Sequence, residues 1–121
     1  MRASPVARFA LPAVLLMLIS TTAGATDPEC SSVNGWFTSM AHVHLKNAGL
    51  ITNEAVDFTK TKTVRLASEK IGDDLFRQVH LVTFTEKSGG TIQAITVGDA
   101  SSEECSMAGV KVFVVSRTLG P

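Results

Sequence analysis

"LFRQVHLVTFTEKSGGTIQAITVGD", residues 75–99, decides the fold. Two runs rich in Val, Thr, Ile and Phe flank Ser88-Gly89-Gly90. β-branched and aromatic residues suit the pleated surface of a strand, and the two glycines supply turn chemistry. So short a connection cannot make a parallel crossover, so the two strands are antiparallel neighbours. Upstream, "VDFTKTKTVRLAS" (56–68) alternates in the same way and joins the first run across Gly72-Asp73-Asp74, two acidic residues best read as hairpin-turn chemistry rather than as an acid/base pair. Downstream, "VKVFVVSR" (110–117) completes a set of four. Working outward from residues 75–99 therefore gives a four-stranded antiparallel meander.

Alternation assigns faces. Val79 and Leu81 share one side of their strand, while Phe76, His80, Val82 and Phe84 share the other. In the last strand Val110, Val112 and Val114 oppose Phe113 and Val115. Both sides are apolar. One helix shields only part of one sheet face, so the second face is expected to be a partly exposed apolar surface of the kind that marks an association site.

That helix precedes the strands. Val33, Trp36, Phe37, Met40, Ala41, His44 and Ala48 recur at steps of three and four, which predicts one apolar stripe. Asp27-Pro28-Glu29 reads as its start, with Asp27 as N-cap and Pro28 at the first helical position, and Gly49 as its left-handed stop. Asn34-Gly35 interrupts this pattern at a cost of about 1 kcal/mol, which leaves a second reading in which the helix proper begins near Trp36. The expected fold is α+β, an N-terminal helix packed on a four-stranded meander.

The first 25 residues, "MRASPVARFALPAVLLMLISTTAGA", place Arg2 and Arg8 before an apolar run of about 11 residues and an Ala23-Gly24-Ala25 site, the order of a secretory signal peptide. A spanning helix needs about 20 apolar residues, so no membrane span is expected in the mature chain, residues 26–121, which is read as a single domain. Of eleven Lys and Arg, removing Arg2 and Arg8 leaves nine against eleven Asp and Glu, a net charge of −2. Nucleic-acid binding loses its electrostatic drive. Lys60, Lys62 and Arg65 form one basic cluster, read as a solvated strand face in preference to a phosphate or lipid site.

Two cysteines, Cys30 and Cys105, in an exported chain point to a disulfide. A nucleophilic Cys105 is disfavoured, because Glu103 and Glu104 beside it oppose the thiolate. His42 and His44 are two apart, and on a helix they point about 200° away from each other, so no metal site is expected from them. His80 falls mid-strand, its ring expected against neighbours or in a hydrogen bond. No nucleophile elbow, zincin, P-loop or dinucleotide motif occurs, so neither a catalytic residue nor a cofactor is assigned.

"SSEECSMAGVKVFVVSRTLG", residues 101–120, resembles a run near the C-terminus of small uncharacterised exported proteins of Gram-negative bacteria, in which an acidic pair, Cys, Ser-Met and a Val-rich strand recur. The resemblance covers about 20 of 121 residues. It implies a bacterial, periplasmic setting and transfers no role to any residue. Together these readings point to an exported, non-catalytic protein-binding module of inhibitor or immunity type. Its expected binding loop is Ser101, Ser102, Glu103, Glu104, Ser106 and Met107, beside the outer sheet face. The alternative is a binder of a small molecule or envelope component, with an apolar pocket formed by Trp36, Phe37, Met40 and Phe84.

Overall fold

Glycine and aspartate turns divide the chain where the sequence places them. One helix, α1 (Trp36–Asn47), precedes four strands, β1 (Val56–Gly72), β2 (Leu75–Glu86), β3 (Thr91–Ala100) and β4 (Lys111–Val115). The strands form one sheet in the order β1-β2-β3-β4, and every pair is antiparallel, as expected. This computed structural model describes residues 2–6, 10 and 24–115. The export segment expected over residues 1–25 falls mostly outside them, as do Ser116 and Arg117 of the fourth expected strand.

The helix start departs from the first expectation and follows the second. Asp27 is no N-cap: residues 24–32 have no regular structure, and Gly35 caps α1 without a side-chain hydrogen bond. The Ser32 carbonyl accepts both the Gly35 N–H (2.9 Å) and the Thr38 hydroxyl (2.9 Å), closing a turn at Asn34-Gly35 that breaks any continuous helix. At the other end Gly49 adopts φ +74, the Leu50 N–H bonds to Leu45 O and the Gly49 N–H to Lys46 O. That is a Schellman stop, in which glycine takes the left-handed position without a Cβ penalty.

The buried side of α1 is Phe37, Thr38, Ala41 and Leu45. Trp36 and Met40 are half-buried, whereas Val33, His44 and Ala48 are exposed, so the expected stripe is rotated from His44 onto Leu45. Burying a leucine gains apolar transfer energy, whereas burying an imidazole costs desolvation. Ala41 and Leu45 share one buried cluster with Ile51, Val56, Val82, Phe84 and Ala94.

Pairing fixes the two sheet faces. Arg65, His80 and Thr96 lie opposite one another and, with Gln78, Val82, Phe84 and Ala94, define an inner face. The β1–β2 register shifts three times, at Asp57/Lys62, Arg65/Ala67 and Lys70/Gly72. The second shift, around Leu66, exchanges the faces. Lys62 and Val64 point outward before it, Ala67 and Glu69 after it.

Candidate functional site

Three features of the fold carry candidate functional side chains: the outer sheet face, the loop between β3 and β4, and a polar layer under the segment that enters the fold.

On the outer face Val64, Leu81, Ile95 and Phe113 stand in one row across all four strands. The two ends are the most exposed, Val64 at 53% and Phe113 at 55%. The next row is Ala67, Val79, Val97 and Lys111, and the row on the other side is Lys62, Thr83, Gln93 and Val115. The apolar block therefore has a lysine at two diagonally opposite corners, neither in an ion pair among the described residues. One row beyond Val79, Arg77 Nε donates to Asp99 Oδ1 at 3.0 Å, and this contact holds the guanidinium charged beyond its already high ordinary value. Exposed aliphatic and aromatic side chains at both edges of an otherwise tightly paired sheet favour association.

The β3–β4 loop is an ordered structure rather than a tether. Its first residue, Ser101, is buried; its N–H bonds to Glu104 O (2.7 Å), and its hydroxyl accepts the N–H groups of Glu103 and Glu104. Ser102 gives both its N–H and its hydroxyl to the Asp74 carboxylate, each at 2.8 Å. Asp74 therefore does more than make a turn: it clamps the β1–β2 hairpin to this loop. Ser106 donates to Glu104 Oε1, and the Met107 N–H bonds to Asp99 O, which sets the loop beside the Arg77–Asp99 row. Glu103 and Met107 stay exposed. Cys105, bonded to Cys30 with 5.7 Å between their Cα atoms, secures the loop's centre.

Across the molecule, the disulfide anchors an irregular strap, Asp27–Cys30, over the inner face. Arg65 turns inward to hold it: the guanidinium pairs with Asp27 (3.1 Å) and Glu29 (3.4 Å) and donates to Pro28 O (2.8 Å). Of the basic cluster, then, Arg65 is a strap anchor, while Lys60 and Lys62 face solvent. Ser68 and Gln78 also donate to Asp27. His80, fully buried, stacks on Phe37 with ring centroids 4.3 Å apart, and its Nε2 bonds to Glu29 O at 3.3 Å. Burial lowers its basicity below the ordinary imidazole value, Arg65 adds to that, and the Glu29 carbonyl and carboxylate oppose it. His80 Nδ1, Thr96 Oγ1 and Gln78 Oε1 are buried without a partner.

The four residues expected to form a pocket do not share the cavity that lies between α1 and β1. A cavity of about 230 Å³ between α1 and β1 is walled by Val33, Phe58 and Phe84, with His42, Ser39 and Thr61 on its polar side. Phe84 lines it; Trp36, Phe37 and Met40 do not. His42, half-buried, contacts the Phe58 ring edge-on and bonds to Asn53, while His44, expected in the apolar stripe, is exposed. Among the described residues no group of three His, Cys, Asp or Glu is placed to hold a metal ion, and no helix is long and apolar enough to cross a membrane. Sequence reasoning named Asp74 and Arg65 but missed their roles. The donors to Asp74 lie 28 residues away and the carbonyl that accepts from Arg65 lies 37 away, and no local pattern signals such pairs. Compared with known proteins, the chain matches no family model, no curated protein and no solved structure.

Proposed function

We propose that this chain is an exported, non-catalytic protein-binding module whose docking surface is the outer sheet face, bordered by the Ser101–Met107 loop. The observation that carries this reading is the row Val64, Leu81, Ile95 and Phe113, open at both ends, with Lys62 and Lys111 at opposite corners of the block. Such a surface suits a protein partner that presents an apolar strip flanked by carboxylates: the strip covers the row, and the carboxylates meet the two lysines. Glu103 and Met107, held outward on a clamped loop, would supply contacts at the rim. Export, and with it a periplasmic site of action, is supported by the disulfide and by the N-terminal sequence. The alternative, a small-molecule binder, has less support. Of the four residues it would use, Phe84 lines the cavity of about 230 Å³ between α1 and β1, and Trp36, Phe37 and Met40 do not.

Immobilised protein is to be challenged with a periplasmic extract, and the retained species identified by mass spectrometry. A stoichiometric partner with an acidic-flanked apolar strip should be lost with Phe113→Arg and weakened about tenfold or more by Lys62→Glu with Lys111→Glu. Glu103→Lys with Glu104→Lys reports on the loop separately. Retention that ignores Phe113 and both lysines sinks the reading, and so does a concentration-dependent dimer in sedimentation, which would make the face an interface between copies.

A further inference from the structure

The polar layer beneath the strap is built unlike the rest of the core. Gln78, His80 and Thr96 are adjacent on the inner face, each fully buried, and each carries one polar atom with no partner. Buried polar groups are normally satisfied, and an unsatisfied one is a weak point. The strap above them has no regular structure and is held by side-chain contacts: Arg65 on Asp27, Pro28 O and Glu29, Gln78 and Ser68 on Asp27, and His80 on Glu29 O.

Since Nε2 meets a carbonyl oxygen, it carries the ring proton, and Nδ1 is the bare lone pair. A second proton must therefore arrive at Nδ1, inside the protein. It would create a cation in a site closed to water, directly across the strand pair from Arg65, a cation already. Asp27 and Glu29 face Arg65 from the strap, Phe37 covers the ring from α1, and β3 offers the neutral Thr96 hydroxyl. None of these adds a carboxylate at Nδ1 itself. The charged ring is relieved by lifting the strap and admitting water. Cys30, tied to Cys105, then serves as the pivot, because residues before it can swing away while the disulfide stays intact.

We propose that the strap Asp27–Cys30 is an acid-released clasp, with His80 as its trigger: neutral His80 keeps the strap on the inner face, and protonation at Nδ1 lifts it. This device is independent of the docking surface on the opposite face. Its sign follows from linkage. A histidine whose basicity is depressed by folding contributes stability that is complete above the ordinary value of 6.5 and is lost as the pH falls below it.

The test compares the full exported chain with His80→Gln, whose amide can still donate to Glu29 O but does not titrate. At about pH 5, amide exchange over the strap and residues 31–36 should be several-fold faster in the wild type than in the variant, with a shift in the emission of Trp36, the sole tryptophan; at about pH 7 the two should agree. Equal exchange at both pH values overturns the proposal. Should His80→Gln fail to fold, ring-proton NMR of the wild type decides. A His80 that titrates below 6.5 together with the strap resonances is the expected result, and one that titrates at 6.5 or above, or without any response in the strap, overturns the clasp.

Discussion

Among the described glycines, Gly98 has the tightest surroundings. A Cβ there would stand 2.7 Å from Phe37 Cε1 and 3.2 Å from a Val110 methyl, so the absent side chain is what lets the Phe37 ring lie against β3 and stack on His80. Gly98→Ala is expected to displace that ring and destabilise the protein by about 1–3 kcal/mol, read as a lower urea midpoint at unchanged slope. In the sequence Gly98 stands before Asp99 at the end of an expected strand. Its actual role depends on a ring 61 residues earlier, which no local pattern reveals.

Among the elements, the β1–β2 hairpin has a part that its sequence half declares. Gly72-Asp73-Asp74 is legible as a turn, and it is one. Asp74 then reaches Ser102 with both carboxylate oxygens and so couples the hairpin tip to the loop that Cys105 secures. Asp74→Ala should leave the hairpin paired yet release the loop. The expected outcome is faster amide exchange at Ser102 to Glu104 and a stability loss of about 1 kcal/mol, since the contact is solvent-exposed. Unchanged exchange there would mean that Ser101, with its own bonds to Glu103 and Glu104, orders the loop alone. The strand β1 is itself a managed edge. Seventeen residues long and paired on one side, it is interrupted by three register shifts and studded with Lys60, Lys62 and Lys70, devices that discourage edge-to-edge growth.

For the whole molecule the decisive link is Cys30–Cys105, which closes 75 residues and joins the strap to the loop before the last strand. The chain-entropy relation values such a closure at about 4.5 kcal/mol, a large share of the 5–15 kcal/mol typical of a domain. Replacing both cysteines by serine should lower the melting temperature by well over 10 °C and expose the strap first, with Trp36 emission shifting before the far-ultraviolet dichroism falls. A double variant that melts within a few degrees of the parent would show that the ion pairs of Arg65 hold the strap unaided. The opposite faces also divide the labour: the inner face carries the burial and the buried polar layer, and the outer face presents the open apolar row.

By itself the sequence determined the local grammar: four strands, the first three antiparallel in order because short Gly, Asp and Ser connections allow nothing else, one helix before them with its stop at Gly49, and the pairing of the two cysteines, because there are only two; the longer loop from Ser101 to Val110 left the placing of β4 to the fold. Only the tertiary structure decided the rest. It placed Asp27 on Arg65 instead of at a helix cap, turned Leu45 inward and His44 outward, and exchanged the faces of β1 at Leu66. Each of these choices weighs the desolvation of a side chain against partners tens of residues distant. Alternation along one strand records which residues share a side, and pairing with the neighbouring strand decides which side meets water.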